Sequence, residues 1–454
     1  MASDTYPKPR CPQCRAPMER SLQSDKWVHS NGQEQCPPTW REAEDAIVAR
    51  FPKALKTARV CACVIKALQL KILTQPIGIL VVGPPAGQKT TALRFFKKMP
   101  SALWLDDFSA ASFVSHKSGA KEEELAENDL LPKLKDCVLI APEFASVLEG
   151  AREQVAAKLG RLTRIMDGDG FKSASGAHGI RGYEGRHDFV FLAASVPPSQ
   201  DNWDVFVRAG ARFLFVNSVD GVEFEEMLDN ADYLRSIEEL QDIVGNTLYH
   251  RSEIPTLDQD QKRSIFELAK WVAKLRGVVS VRGVRFNDGG GTERTMFQTD
   301  QPIVEAPPRL YSMFCVVAQG YAALYNKVKV DEDDLHFLYD CAMDCGRYDR
   351  VRFLFKMPTK ASTVKELAEH LHISTATIRR KLAELSALGL VKVDERYIRE
   401  VDKPAKIYTP LLFDSAPFTK LKNHQLQLTT DASGLECADE IVKGAFANNK
   451  ADLS

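Results

Sequence analysis

Residues 77–91 read IGILVVGPPAGQKTT, and the helical run ALRFFKK follows directly. Six apolar residues, Ile77 to Val82, have the length and composition of a buried strand. Gly83, Pro84, Pro85, Ala86, Gly87 and Gln88 interrupt any periodic pattern, and Lys89, Thr90 and Thr91 open a helix. A strand that empties through such a loop into a helix N-terminus makes an anion site, because loop N–H groups and the positive helix end face one point. In that frame Lys89 reaches the β and γ oxygens of a nucleoside triphosphate such as ATP, and Thr90 ligates its Mg2+. The spacing departs from G-x-x-x-x-G-K-[ST] at one place. Gly83, Lys89 and Thr90 fit, but Gln88 stands before the lysine and Gly87 comes one position early. A side chain at 88 crowds the β-phosphate. The alternative is a proline-rich strand-to-helix turn that only looks like a phosphate loop.

The chain has 454 residues, enough for two to four domains of ordinary size. With 27% charged and 44% hydrophobic residues it has the balance of a soluble globular protein. A formal net charge of −1 excludes nothing about nucleic acid, but it requires any basic surface to be local. The opening MASDTYPKPR lacks an apolar run and no segment has the length of a membrane span, so a cytoplasmic, membrane-free protein is expected. Ten cysteines in such a chain do not read as a secreted disulfide framework. Cys61, Cys63, Cys137, Cys315, Cys341 and Cys345 fall in apolar or helical stretches and read as core thiols.

The pattern changes along the chain. Residues 1–40 are polar and rich in Cys and Pro, and 41–235 alternate helical and strand-like patterns around the loop, which predicts a layered α/β domain. Residues 236–350 read as mainly helical, with an excursion near 284–308. Residues 351–412 form a compact helix and strand unit, and 413–454 is a polar tail.

Two further strands carry acids. LWLDDF, residues 103–108, ends in Asp106 and Asp107 but lies only 17 residues past Lys89 at Asp106. CVLIAPEF, residues 137–144, ends in Glu143 at a better distance for a core strand beside the loop. A carboxylate there can orient and polarise the attacking water of phosphoryl transfer. No Asp precedes Glu143, since Ala141 and Pro142 stand there, so Asp106 or Asp107 is left to reach the metal's water shell. A surface acid at a strand end is the alternative for Glu143. A helix near 151–166, a glycine-punctuated hairpin near 168–186 and a buried strand from Phe189 to Ala194 ending at Ser195 come next.

This order resembles the AAA+ ATPases that insert a β-hairpin before the sensor-1 strand, and most closely the minichromosome-maintenance helicase clade, over roughly residues 75–350. The resemblance implies a P-loop core with a helical lid. Ser195 takes the sensor-1 position, where the family usually has Asn. Arg212 in GARFLFV matches the arginine finger, with Arg208 as the alternative, and would act on a neighbour's γ-phosphate in a ring or other homo-oligomer. A structural ion pair is the other reading of Arg212. Arg309, opening PPRLYSMF, matches a sensor-2 arginine directed at the nucleotide. The hairpin interleaves Lys172, His178, Arg181 and Arg186 with Gly and Ser. In related motors such hairpins grip nucleic-acid phosphates in a central pore. A solvated surface loop would carry the same residues.

Residues 361–412 carry the second strong pattern. Thr363 to Glu366 form a capping box opening one helix, Ser374 caps a second, TATIRRKLAELSALG, and Gly389 stops it. LVKV and KIYTP supply two strands around a charged loop from Asp394 to Lys406. The order is that of a winged helix-turn-helix, whose second helix enters the major groove of DNA. Thr375, Thr377, Arg379, Arg380 and Lys381 are the candidate contacts, with Lys403 and Lys406 on the wing. Protein contact is the alternative, since Glu384 and Glu395 dilute the positive charge.

At the N-terminus Cys11, Cys14, His29 and Cys36 follow C-x2-C-x14-H-x6-C. Three thiolates and an imidazole suit tetrahedral Zn2+, so a zinc knuckle is expected. The segment is too short for the oligonucleotide-binding barrel that accompanies zinc in minichromosome-maintenance proteins. Together these readings predict an ATP-hydrolysing AAA+ protein acting on DNA, helicase- or translocase-like. The alternative is an ATP-gated DNA-binding regulator with little turnover, since Gln88, Ala141 and Ser195 each depart from an efficient site.

Overall fold

In a computed structural model of the protein, the described residues are 19–20, 27–28, 39–85, 87–109, 112–115, 122–175, 179–208, 210, 212–218, 233–248, 252–287, 293–398 and 403–411. Ala86, His178 and the four zinc-ligand candidates Cys11, Cys14, His29 and Cys36 lie outside them. The chain divides into two compact units, one of residues 1–276 and 305–345 and one of 277–304 and 346–454.

Two short strands, β1 (Glu19–Arg20) and β2 (Trp27–Val28), pair antiparallel near the N-terminus. The core of the first unit is a five-stranded parallel sheet. Its strands are β3 (Ile77–Val82), β4 (Ala102–Trp104), β5 (Cys137–Ala141), β8 (Phe189–Ser195) and β9 (Phe213–Asn217), in the order β4-β5-β8-β3-β9. Every residue of β3, β5 and β8 is buried, so their near-continuous apolar runs follow from cover on both faces. Between β5 and β8 lie the helix Arg152–Ile165 and an antiparallel hairpin of β6 (Gly170–Ser175) and β7 (Gly179–Glu184).

Helices Tyr233–Leu248, Gln259–Arg276, Pro307–Leu324 and Glu332–Asp344 complete this unit, and Pro307–Leu324 packs on the buried helix Leu55–Gln69. Asp331 accepts from the Asp334 backbone and caps the last of these, as its run of acids predicts. Cys61, Cys63, Cys137, Cys341 and Cys345 are buried free thiols. Among the described residues no helix is long and apolar enough to cross a membrane.

The second unit contains an antiparallel hairpin of β10 (Val281–Asn287) and β11 (Glu293–Thr299), which is the excursion near 284–308. The helices Tyr348–Lys356, Val364–Leu371 and Thr375–Ala387 come after it, with a sheet of β12 (Ser362–Thr363), β13 (Val391–Ile398) and β14 (Lys403–Pro410) in the order β12-β14-β13. The stretch Asp394 to Lys406, expected as a loop, is mostly paired: β13 runs on to Ile398, opposite Lys403. Its run of charged residues, Asp394, Glu395, Arg396, Arg399 and Glu400, reads as a loop and hides the strand. Leu367, Ile378, Leu382, Leu385 and Leu390 make the core of this unit.

Candidate functional site

The parallel register brings the ends of β3, β8 and β9 to one edge. Val82 is level with Ser195 on one side and Asn217 on the other. Three backbone bonds stitch the segments just past the strand ends. Gly83 N donates to Ser195 O at 3.3 Å, Phe144 N to Ala194 O at 2.8 Å, and Ser218 N to Val82 O at 2.7 Å. Phe144 is also buried among aromatic rings, 5.9 Å from Phe191 and 5.5 Å from Phe213 between centroids. Glu143, its exposed neighbour, is thereby held at the same edge as the loop. β3 connects outward to β4 while β9 returns on its other side, so the loop sits where the strand order reverses, the crevice where open α/β sheets bind ligands.

The loop is tight. A Cβ on Gly83 would lie 2.9 Å from Ser218 Cβ, and one on Gly87 would lie 3.0 Å from the Pro84 carbonyl oxygen. The Ser218 hydroxyl donates to the Gly87 carbonyl. Gln88 adopts φ 53° and ψ 13°, a left-handed conformation that favours glycine, and it is the N-cap of helix Lys89–Arg94. Lys89 Nζ donates to the carbonyls of Gly83, at 2.9 Å, and of Pro84. Burial lowers the Lys89 pKa from the ordinary lysine range, against the opposite pull of the nearby Glu143 carboxylate. Thr90 is half-buried beside it, and the Thr91 hydroxyl meets Tyr233 Oη at 2.5 Å.

Two buried polar atoms at this edge have no hydrogen-bond partner among the described residues: Gln88 Oε1 and Ser195 Oγ, the latter on a residue only 4% exposed. Orphaned groups of this kind are costly unless a ligand or water satisfies them. The Ser195 hydroxyl can donate to a phosphate oxygen, whereas the Gln88 amide oxygen only accepts and calls for a donor; with the glycine cradle, the Lys89 ammonium and the Thr90 hydroxyl, this edge could hold a magnesium-bound triphosphate. Asp107 is less well placed. It is exposed, and its strand β4 is separated from β3 by β5 and β8, about 14 Å across the sheet at ordinary strand spacing. Asp106 accepts from Trp104 Nε1 at 2.7 Å. Among the described residues no group of three or more His, Cys, Asp or Glu could hold a metal ion.

Arg212 and Arg309 lie at the opposite edge. Gly78 N donates to Arg212 O at 2.9 Å, which puts Arg212 level with the start of β3 rather than its end. Arg212 is 6% exposed, pairs with Asp167 and donates to Gly210 O at 3.0 Å. Arg309 donates to the same carbonyl at 2.8 Å. Burial and the neighbouring Arg309 and Arg164 charges lower the Arg212 pKa to about 10. Arg309 is thus turned away from the loop of its own chain, contrary to the expectation of a residue directed at it. Arg208, the alternative finger, is exposed at the end of helix Gln200–Arg208. The hairpin cations are partly spent within the chain. Lys172 pairs with Glu184, and Arg186 donates to Asp188 and to Leu73 O, both at 2.7 Å. Arg181 lies on β7 with its Nη1 buried.

In the second unit the capping box forms as read: Thr363 N donates to Glu366 Oε2 at 2.6 Å and Glu366 N to Thr363 Oγ1 at 3.3 Å. Ser374 caps the second helix through Thr377 N at 3.2 Å, and its hydroxyl meets that of Thr377 at 2.9 Å. Glu384 does not dilute a basic surface. It is buried against Arg350, 2.8 Å from Nε, and Arg347, 2.8 Å from Nη2. Lys381 is consumed by Asp349 and Glu384, while Arg379 and Arg380 are exposed. Burial works against the Asp349 charge, but Arg347 and Lys381 hold its carboxyl well below the usual range.

Residues 349–397 match a family model described as an HTH domain. The second unit carries a helix-turn-helix domain. No curated protein matches the chain. Sequence reading missed Ser218 and Tyr233, which brace the loop, and Asp349, which ties down Lys381. Each acts on a partner far away in the chain and belongs to no local motif.

Proposed function

We propose that this protein is an AAA+ type ATPase that acts on DNA, with the site completed by a neighbouring copy of the chain. The observation that carries this reading is the division of charged groups between the two edges of the parallel sheet. Lys89, Thr90, Glu143 and Ser195 gather at the carboxyl edge, while Arg212 and Arg309 lie level with the start of β3, about 16–20 Å away for a strand of this length. Arg309, so far from its own loop, can serve a triphosphate only in another subunit, while Arg212 stays buried in its ion pair with Asp167. Lys89 and the loop N–H groups would bind the β and γ phosphates, Thr90 would ligate Mg2+, and Glu143 would orient the attacking water, with Ser195 beside it. The helix-turn-helix would supply the DNA contact, with Arg379, Arg380 and the hydroxyls of Thr375 and Thr377 as its candidate groups.

A second reading is an ATP-gated regulator with little turnover. It is supported by Lys89, which bonds two carbonyls of its own loop, and by the side chain at Gln88, where a crowding-free loop would have glycine. Zinc at Cys11, Cys14, His29 and Cys36 remains a proposal of the same kind, tested by metal content before and after Cys14→Ser. The deciding experiment measures ATP hydrolysis with and without single- and double-stranded DNA at two salt concentrations. Turnover stimulated by DNA, less so at high salt, with Glu143→Gln binding ATP but not cleaving it, is the expected result. Failure to bind ATP with magnesium would overturn both readings; binding without hydrolysis would leave the regulator.

A further inference from the structure

We propose that the cleft between the β10–β11 hairpin and the helix-turn-helix is a binding site for single-stranded nucleic acid. It is an open cleft of about 1200 Å3 within the second unit, larger than the roughly 300–1,000 Å3 of most small-molecule pockets. Its floor is one face of the helix Thr375–Ala387, and its walls come from β11 and from the wing strands β13 and β14.

The lining has the chemistry of a sequence-tolerant single-strand site. Its charged side chains are Lys365, Arg379 and Lys406, and no carboxylate is among the residues that line it. Phe297 and Tyr408 offer two half-buried rings, and Met296, 50% exposed, adds an apolar surface unusual for a free edge. Thr295, Thr299, Thr375 and Ser386 also line the cleft. Cations that follow a phosphate chain and rings on which bases stack are what such sites combine. Arg379 lies close enough to Tyr408 to pull its phenol down against the upward push of burial.

The geometry argues against a duplex in the same place. A helix with its side chains is about 10–12 Å across and fills the roughly 12 Å major groove by itself. Here β11 contacts that helix and lines the cleft together with Thr375 and Arg379, so on that side helix and hairpin together are too wide to enter. Arg380 projects from another side of the helix and does not line the cleft. A separated strand, threaded between hairpin, helix and wing, meets both cations and rings.

This inference deepens the nucleic-acid contact proposed above and rests on it. The test is fluorescence anisotropy of the full chain with a labelled oligothymidine, its ribose counterpart and a duplex of equal length, each at two salt concentrations. Phe297→Leu keeps apolar bulk while removing the ring, and Lys406→Glu changes an exposed charge, so both keep the fold. The expected result is weaker single-strand binding by roughly 5- to 150-fold for Phe297→Leu, the range for one lost base stack, with duplex binding unchanged. Lys406→Glu should also weaken the single strand and flatten its salt dependence. Equal loss with the two oligothymidine chemistries assigns the cleft to either sugar; loss with one alone assigns it to that one. Unchanged single-strand affinity in both variants overturns the proposal. Duplex binding without single-strand binding overturns it too, yet spares the helix-turn-helix reading; no binding to any probe removes both.

Discussion

The Asp344 carboxylate accepts two hydrogen bonds from Asn217, at 3.0 Å from its backbone nitrogen and 3.1 Å from its side-chain amide. Lys56 Nζ lies 2.6 Å from the same carboxylate. Asn217 ends β9 level with Val82, the last residue of β3, so the last helix of the first unit is tied to the strand beside the one that opens into the loop at Gly83. Asp344→Ala should cost about 2–3 kcal/mol, as expected for charge-assisted bonds to a buried acceptor. Lys56→Met should cost more, about 3–5 kcal/mol, because it leaves the carboxylate buried without its cation. Denaturant titration of both variants measures the order; a smaller loss for Lys56→Met would show that the carboxylate is not held as an ion.

Gln88 carries the loop's unusual conformation. Glycine substitutions within helices usually cost about 0.5–1 kcal/mol, yet at φ 53° a side chain itself costs about 1–2 kcal/mol. Gln88→Gly should therefore leave thermal stability unchanged or raised, and should tighten binding of a non-hydrolysable ATP analogue. Gln88→Val, branched at Cβ, should lower both.

Lys66 is 2% exposed and donates to Leu248 O at 3.1 Å, and burial lowers its pKa to about 7. An unfolded lysine keeps its proton up to about pH 10.4. Between these values the unfolded chain binds the extra proton, so stability should rise with pH by up to about 1.4 kcal/mol per unit across that window. Below about pH 7 both states are protonated and the contribution is flat. Lys66→Met should abolish the rise and be more stable than the parent at neutral pH, as read from denaturation midpoints at pH values spanning the window.

Adjacent cations on the second helix of the helix-turn-helix should behave differently. Arg380 is exposed, so Arg380→Ala should weaken duplex binding and reduce its salt slope by about one while melting normally. Lys381 is held by Asp349 and Glu384, so Lys381→Ala should lower the melting temperature and leave the salt slope intact. An unchanged duplex affinity for Arg380→Ala would remove that face of the helix from the interface.

If Arg309 acts on a neighbouring chain, Lys89→Ala and Arg309→Ala should each lack ATP hydrolysis, and a mixture of the two should regain part of it. An arginine contact of this type is worth about 10³–10⁵ in rate, so partial recovery is readily seen. No recovery in the mixture would return the site to a single chain.

Local signals made much of the chain legible before any tertiary structure. The apolar runs at 77–82, 137–141 and 189–195 are strands because a sheet covered on both faces leaves no polar alternation. Thr363 with Glu366, Ser374 with Thr377, and Gly389 at φ 64° mark helix ends through bonds spanning only a few residues. The helix-turn-helix is local in the same sense. What folding in three dimensions decided depends on distant partners. The strand order set which edge holds Lys89 and which holds Arg212 and Arg309. Asp349 withdrew Lys381 from the basic face, Arg350 buried Glu384, and the segment 277–304 joined the second unit and not the helices that flank it in the chain. Such pairings join side chains tens to hundreds of positions apart, and a pattern read over a dozen residues carries no record of them.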